Sequence, residues 1–214
     1  LTYLEKCLDE DNGHLKANML LFRTCQNTCN WKRLNKLKTN IENLNINGYE
    51  HPFLNVSRCD DEKANYDNAT LWHKINYQHN IPIQQKELSK NNNKKRVGFL
   101  CGEMRNHPTF YLIKNMFQYL DKGAFDYYFF TYNHDQEYLN YIEKHLSMVV
   151  DINDKSDDQI ENIVRKHDLD VLIDLSVHLP NNKMNVVNRK LARKTISYLG
   201  FPGSSGSDNY DYII

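Results

Sequence analysis

From residue 95 onward, short apolar runs alternate with stretches whose apolar positions recur at helical spacing. That alternation constrains the fold more than any other feature of the chain. The runs at 96–101, 125–132, 149–152, 170–175 and 195–199 read as strands. The stretches at 108–120, 136–146 and 157–166 read as helices, with a weaker one at 183–193. Strands that alternate with helices in this way are parallel and joined by right-handed crossovers. Val171-Leu172-Ile173-Asp174-Leu175 is almost wholly apolar, as a strand buried on both faces must be. The expected fold is α/β: a doubly wound, mostly parallel, Rossmann-like sheet over 95–214, with a helical extension before it.

The first part of the chain has a different period. Leu15, Met19 and Phe22 recur at helical spacing, as do Trp31, Leu34, Leu37, Ile41 and Leu44, and a third helix is expected around Leu71, Trp72 and Ile75. Residues 1–80 therefore read as a helical extension. Residues 81–94, with Pro82 and Asn91-Asn92-Asn93, read as a polar linker.

Composition narrows the function classes. Lys+Arg and Asp+Glu both number 27 among 214 residues, so there is no basic excess to serve nucleic acid. No apolar stretch approaches the roughly 20 residues that span a bilayer. The opening Leu1-Thr2-Tyr3-Leu4 lacks the pattern of a signal peptide. Five cysteines without paired spacing suit reduced thiols and a cytoplasmic protein. Asn55-Val56-Ser57 and Asn68-Ala69-Thr70 match the N-glycosylation pattern by chance in an Asn-rich chain. The chain does not start with methionine, and Tyr212-Ile213-Ile214 reads as a strand cut short, so a fragment of a longer protein is expected.

In a doubly wound sheet, ligands bind beyond the carboxyl ends of the strands. Three groups follow such ends. Glu103, Asn106, His107, Pro108 and Thr109 follow the first strand; Asp174, Ser176 and His178 lie at and after the fourth. Leu199, Gly200, Pro202 and the small residues up to Gly206 follow the fifth. Pro108 suits a first helical position, where its missing N–H has no partner to lose. That makes His107 the residue before a helix N-terminus, a place that favours phosphate. Against this, a His before Pro at a helix start is often only a cap, Asp174 can merely end a strand, and His178 can cap the next helix. His167, after a helix running from acidic to basic, suits the helix dipole. Cys25 and Cys29 lack the second ligand pair of a zinc site, and no metal is expected. Neither a Gly-x-Gly-x-x-Gly turn nor a P-loop follows the first strand, which sets aside a dinucleotide-dependent oxidoreductase.

Read together, Arg96-Val97-Gly98-Phe99, Asn106-His107-Pro108-Thr109, Asp174-Leu175-Ser176-Val177-His178, Leu199-Gly200-Phe201-Pro202-Gly203-Ser204-Ser205-Gly206 and Asp211-Tyr212-Ile213-Ile214 resemble the protein O-linked N-acetylglucosamine transferase family. The resemblance covers the second half in order and spacing, and more weakly Asn18-Met19-Leu20-Leu21-Phe22 and Cys29-Asn30-Trp31. In the family, that earlier region links tetratricopeptide repeats to the catalytic part. The resemblance implies the first lobe of a two-lobed B-type glycosyltransferase. Its donor would be UDP-N-acetylglucosamine, its acceptor a Ser or Thr hydroxyl of a protein or peptide, and its chemistry inverting, with no metal or other cofactor. His107 would be the catalytic candidate; Glu103, Asn106, Pro108, Thr109, His178, Leu199, Gly200 and Pro202 would line the donor site. The family's Asp-Phe-Gly-Asn-His reads Glu103-Met104-Arg105-Asn106-His107 here, with Arg105 at the glycine position. A non-catalytic module that binds protein or sugar nucleotide is the alternative.

Overall fold

The computed structural model describes residues 2–44, 50–77 and 93–214. The expected linker therefore falls almost wholly outside the described residues. The chain forms two compact units, Leu1–Asn76 and Tyr77–Ile214.

The first unit is helical: α1 (Thr2–Glu10), α2 (Leu15–Asn27), α3 (Trp31–Leu44), α4 (Pro52–Val56) and α5 (Glu62–Asn76). Its core joins Leu21, Phe22 and Cys25 of α2 to Leu34, Leu37 and Ile41 of α3 and to Leu54 of α4. Leu34, Leu37 and Ile41 of the α3 stripe are thus buried as their spacing predicts, whereas Trp31, at the helix start, is exposed. On α5 the buried residues are Asn68, Ala69 and His73, while Ile75 is exposed. The polar side of α5 is turned inward by Glu50, which is fully buried and ion-paired with Arg58 at 2.5 Å. Asn55 donates to the Glu50 carboxylate (2.9 Å) and Asn68 to its backbone carbonyl (3.1 Å). Both asparagines of the glycosylation-like triplets are therefore buried hydrogen-bond donors.

The second unit is one parallel sheet of β1 (Lys95–Cys101), β2 (Phe125–Thr131), β3 (Met148–Asp151), β4 (Leu169–Asp174), β5 (Ala192–Ser197) and β6 (Tyr212–Ile213), in the order β3-β2-β1-β4-β5-β6. Side chains alternate between its faces. Phe99 and Phe129 pack with Phe110 and Ile113 of α6 (Pro108–Ile113) and with Leu139 and Ile142 of α7 (Gln136–Glu143). Leu100, Phe130 and Leu172 pack with Ile160 and Val164 of α8 (Asp157–Arg165) and with Val186 and Val187 of α9 (Met184–Val187). The fold is α/β, doubly wound and Rossmann-like.

α6 and α9 are much shorter than their sequence patterns. After α6 the backbone tightens: Met116 N–H bonds to the Ile113 carbonyl and Tyr119 N–H to that of Met116, with a 3-10 turn at Phe117–Tyr119. This keeps the buried Phe117 on the same core as Phe110 and Ile113. α9 ends at Val187, and β5 begins at Ala192, three residues before the expected start. The cause is tertiary. Arg189 is pulled out of the helical path to contact Asp158 and Glu161 of α8, each at 2.6 Å, and Lys190 takes a left-handed φ of 53°.

His167 does not serve the helix dipole. Its ring lies 4.8 Å from that of Tyr128 and 5.5 Å from that of Phe130. Burial, then the charges of Arg96 and Lys166, holds its pKa below the usual 6.5. The unfolded chain therefore binds the proton more readily, and the stability from neutral His167 is complete above pH 6.5 and fades as pH falls below it. Thermal melts between pH 7.5 and 5.5 should show a fall in Tm that His167→Phe reduces. An identical pH dependence in that variant would refute the assignment.

Candidate functional site

Strand order reverses between β1 and β4, because the chain leaves β1 toward α6 on one face and β4 toward α9 on the other. In such sheets the loops diverge at the carboxyl edge, and the crevice between them is the usual binding position. All strands being parallel, the segments from Glu103, Asp174 and Leu199 onward follow adjacent strands at that one edge.

A buried polar network knits the crevice floor. Asp174 is fully buried; its carboxylate accepts from Ser176 N–H (2.8 Å), Val177 N–H (3.3 Å) and the Tyr210 hydroxyl (2.5 Å). Burial outweighs these donors and holds its pKa above the usual carboxylate value. Ser176 Oγ accepts from the Tyr132 hydroxyl at 3.2 Å and from Gly102 N–H at 3.4 Å. The network holds Val177 at a φ of 45°, an outlier for a β-branched residue. Leu199, at 68°, is the centre of a tight turn closed by Gly200 N–H on the Tyr198 carbonyl at 2.8 Å. Strain of this kind persists only where surroundings over-determine it, and it gathers at working sites.

Gly200 has its own reason to be glycine: a Cβ there would lie 2.1 Å from the Leu175 carbonyl oxygen. Backbone atoms cannot step aside, so Gly200→Ala is expected to destabilise the unit by about 1–3 kcal/mol by forcing the two loops apart. Urea denaturation measures this, and a wild-type midpoint would contradict the close approach.

His107 is the N-cap of α6, and its Nδ1 accepts from Thr109 N–H at 3.3 Å. The anion expected at this helix start thus meets an N–H that is already taken, on a helix of only six residues. The imidazole contributes instead. A neutral ring whose Nδ1 accepts carries its proton on Nε2. Nε2 lies 3.8 Å from Oε2 of Glu103, whose side chain is only 4 % exposed. Arg105 Nη2 approaches the same oxygen at 2.7 Å. Yet among the described residues neither Glu103 Oε2 nor Arg105 Nε has an aligned hydrogen bond.

The other sequence candidates divide by exposure. Asn106, Pro108 and Pro202 are open to solvent, and Leu199 and Gly200 are half-buried. Asn106 Oδ1 is held by the Tyr111 hydroxyl at 3.0 Å. Thr109 is buried beside the cap. His178 is fully buried, edge-on to Phe201 with centroids 4.9 Å apart, so here it packs the two loops together rather than facing an open cleft. Sequence reasoning missed Tyr132 and Tyr210, whose roles depend on contacts across the sheet edge. It missed Lys183 too, whose ammonium lies 5.1 Å from the Tyr132 ring centroid. Among the described residues no His, Cys, Asp and Glu cluster has metal-site geometry.

Residues 59–214 match the description "Glycosyl transferase family 41". The chain belongs to that family. It is 24 % identical over 121 residues to the Arabidopsis thaliana protein named probable UDP-N-acetylglucosamine–peptide N-acetylglucosaminyltransferase SEC, over 56 % of this chain and 12 % of that protein. A Thermobaculum terrenum O-GlcNAc transferase mutant superposes with a TM-score of 0.72 at 19 % identity, over 99 % of this chain and 42 % of that one. The family 41 chain described here thus spans about an eighth of the Arabidopsis relative's length. In this family member the match runs from the end of the helical unit through the whole sheet.

Proposed function

We propose that the complete protein transfers N-acetylglucosamine from UDP-N-acetylglucosamine to Ser or Thr hydroxyls of proteins, with inversion and without a metal. The observation that carries this is His107 at the crevice beside β1 in a family 41 sheet, with one nitrogen committed to the helix cap and the other bearing a proton. The name of the Arabidopsis relative supports the donor and the peptide acceptor. We further propose that the protein works in the cytoplasm with reduced cysteines, that this chain is one lobe of it, and that tetratricopeptide repeats precede the lobe.

In such a transfer the acceptor oxygen bonds to the anomeric carbon as the bond to the diphosphate breaks. The electron pair leaves with UDP, and the hydroxyl proton passes to a base. Charge develops on the departing oxygens, so fixed donors there favour the transition state. Nε2–H of His107 is such a donor, and Arg105 and Lys183 are cations at the same sheet edge. For His107 to be the base instead, the proton must move to Nδ1. Thr109 Oγ1, 3.2 Å away, can accept it there, but the cap to Thr109 N–H is lost.

The test is transfer of radiolabelled N-acetylglucosamine from its UDP donor to a Ser/Thr peptide by the full-length protein, with and without EDTA. Transfer unaffected by EDTA is expected. A rate abolished by EDTA and restored by a divalent ion would overturn the metal-free mechanism. UDP binding without transfer to any Ser/Thr peptide would favour the alternative, a binding module.

A further inference from the structure

Glu103 poses a problem that the mechanism above leaves open. A carboxylate this deeply buried needs a directed partner. Two donors flank the same oxygen, and neither makes a hydrogen bond to it: Arg105 Nη2 is near, at 2.7 Å, but off-axis, and His107 Nε2 is distant, at 3.8 Å. They differ in freedom. The Arg105 side chain is 40 % exposed, so its guanidinium can turn outward, whereas Glu103 is enclosed and cannot follow.

We propose that Glu103 is handed from Arg105 to His107 when a substrate oxyanion binds. Arg105 swings to the oxyanion, and the buried carboxylate then takes its compensating charge from a protonated His107. This rests on the glycosyltransfer reading of the site and adds to it a coupling between substrate binding and a proton.

The balance is simple. One proton is taken from solvent onto His107 Nδ1, where Thr109 Oγ1 lies 3.2 Å away to accept the new N–H. Nε2–H, replaced at the substrate oxyanion by Arg105, is then a charged donor toward Glu103, a stronger bond than a neutral one. The other titratable groups near Glu103 do not compete. Burial pushes the Cys101 thiol up to about 12 and raises the Tyr132 hydroxyl above its usual value. Asp174 is occupied by its own three donors, and the Lys183 ammonium faces Tyr132. Coupling of this kind is reciprocal: if the anion favours the proton, the proton favours the anion.

The oxyanion can be the donor's diphosphate or a carboxylate of an acidic acceptor. Calorimetry on the full-length protein at pH 7, in two buffers of different ionisation enthalpy, separates them. UDP and an Asp-flanked Ser peptide are titrated separately, and protons taken up are counted. His107→Asn is the reference, since Asn keeps the cap and both ligands keep their own titration. Wild type should take up more protons than His107→Asn with one of the two ligands, which identifies the source. Arg105→Gln should bind that ligand ~10-fold more weakly, the loss of one charge-assisted pair, with no added uptake. Arg105→Lys, which keeps the charge, should retain the uptake.

No His107-dependent uptake with either ligand overturns the hand-over, as does uptake that survives in Arg105→Gln. In either case transfer by the wild-type protein would leave the glycosyltransfer reading standing. Absence of transfer alongside His107-dependent uptake would sink that reading and keep the hand-over.

Discussion

His107→Ala in the full-length protein is expected to lower N-acetylglucosamine transfer by ~10²–10⁴-fold, the usual range for a positioned proton carrier or donor. The same substitution should cost about 1 kcal/mol of stability, because Thr109 N–H loses its cap. His107→Asn separates the two effects. Asparagine is a good N-cap, so its stability should match wild type while its transfer falls as far as that of the alanine variant. If His107→Asn transfers sugar at the wild-type rate, the imidazole is only a cap and has no part in the chemistry. A fall confined to KM for the donor would instead make it a diphosphate or sugar contact.

Asp174→Ala is expected to have the largest effect on stability, about 3–5 kcal/mol. It strands Ser176 N–H, Val177 N–H and the Tyr210 hydroxyl, and it releases the restraint on Val177. Tyr210→Phe removes one donor and should cost roughly 1 kcal/mol. Urea denaturation of the three proteins gives the comparison, and an alanine variant within 1 kcal/mol of wild type, the scale of a single hydrogen bond, would mean the network is not what holds the crevice floor. The pH sign is a second check. Because burial raises the Asp174 pKa, this group's contribution is largest below the usual carboxylate value and declines as pH rises through its raised pKa. Asp174→Asn should lack that decline. A steeper decline in the asparagine variant would contradict the assignment.

His107 and Asp174 also show how far a one-dimensional reading reaches. The cap at His107-Pro108 was legible because capping is local: proline at the first helical position and an acceptor before it involve neighbours in sequence. β1, β2 and β4 were legible for a related reason, since strands buried on both faces must be continuously apolar. Asp174 was visible as a candidate at a strand end but its network was not, because its three donors include Tyr210, which is 36 residues away in sequence.

What the sequence by itself determined is therefore the α/β class, the strand–helix alternation, the place of most elements and the group of residues after the strand ends. Each follows from periodicity or from contacts within a turn. Tertiary structure alone decided the strand order with its reversal between β1 and β4, the early end of α9 at the Arg189 ion pairs and the burial of His178 against Phe201. It also decided that Arg105 and His107 converge on one Glu103 oxygen. The physical reason is that hydrophobic spacing states which side of an element is buried but not what buries it. Partners distant in the chain are chosen by packing and by the need of each buried charge for an opposite one.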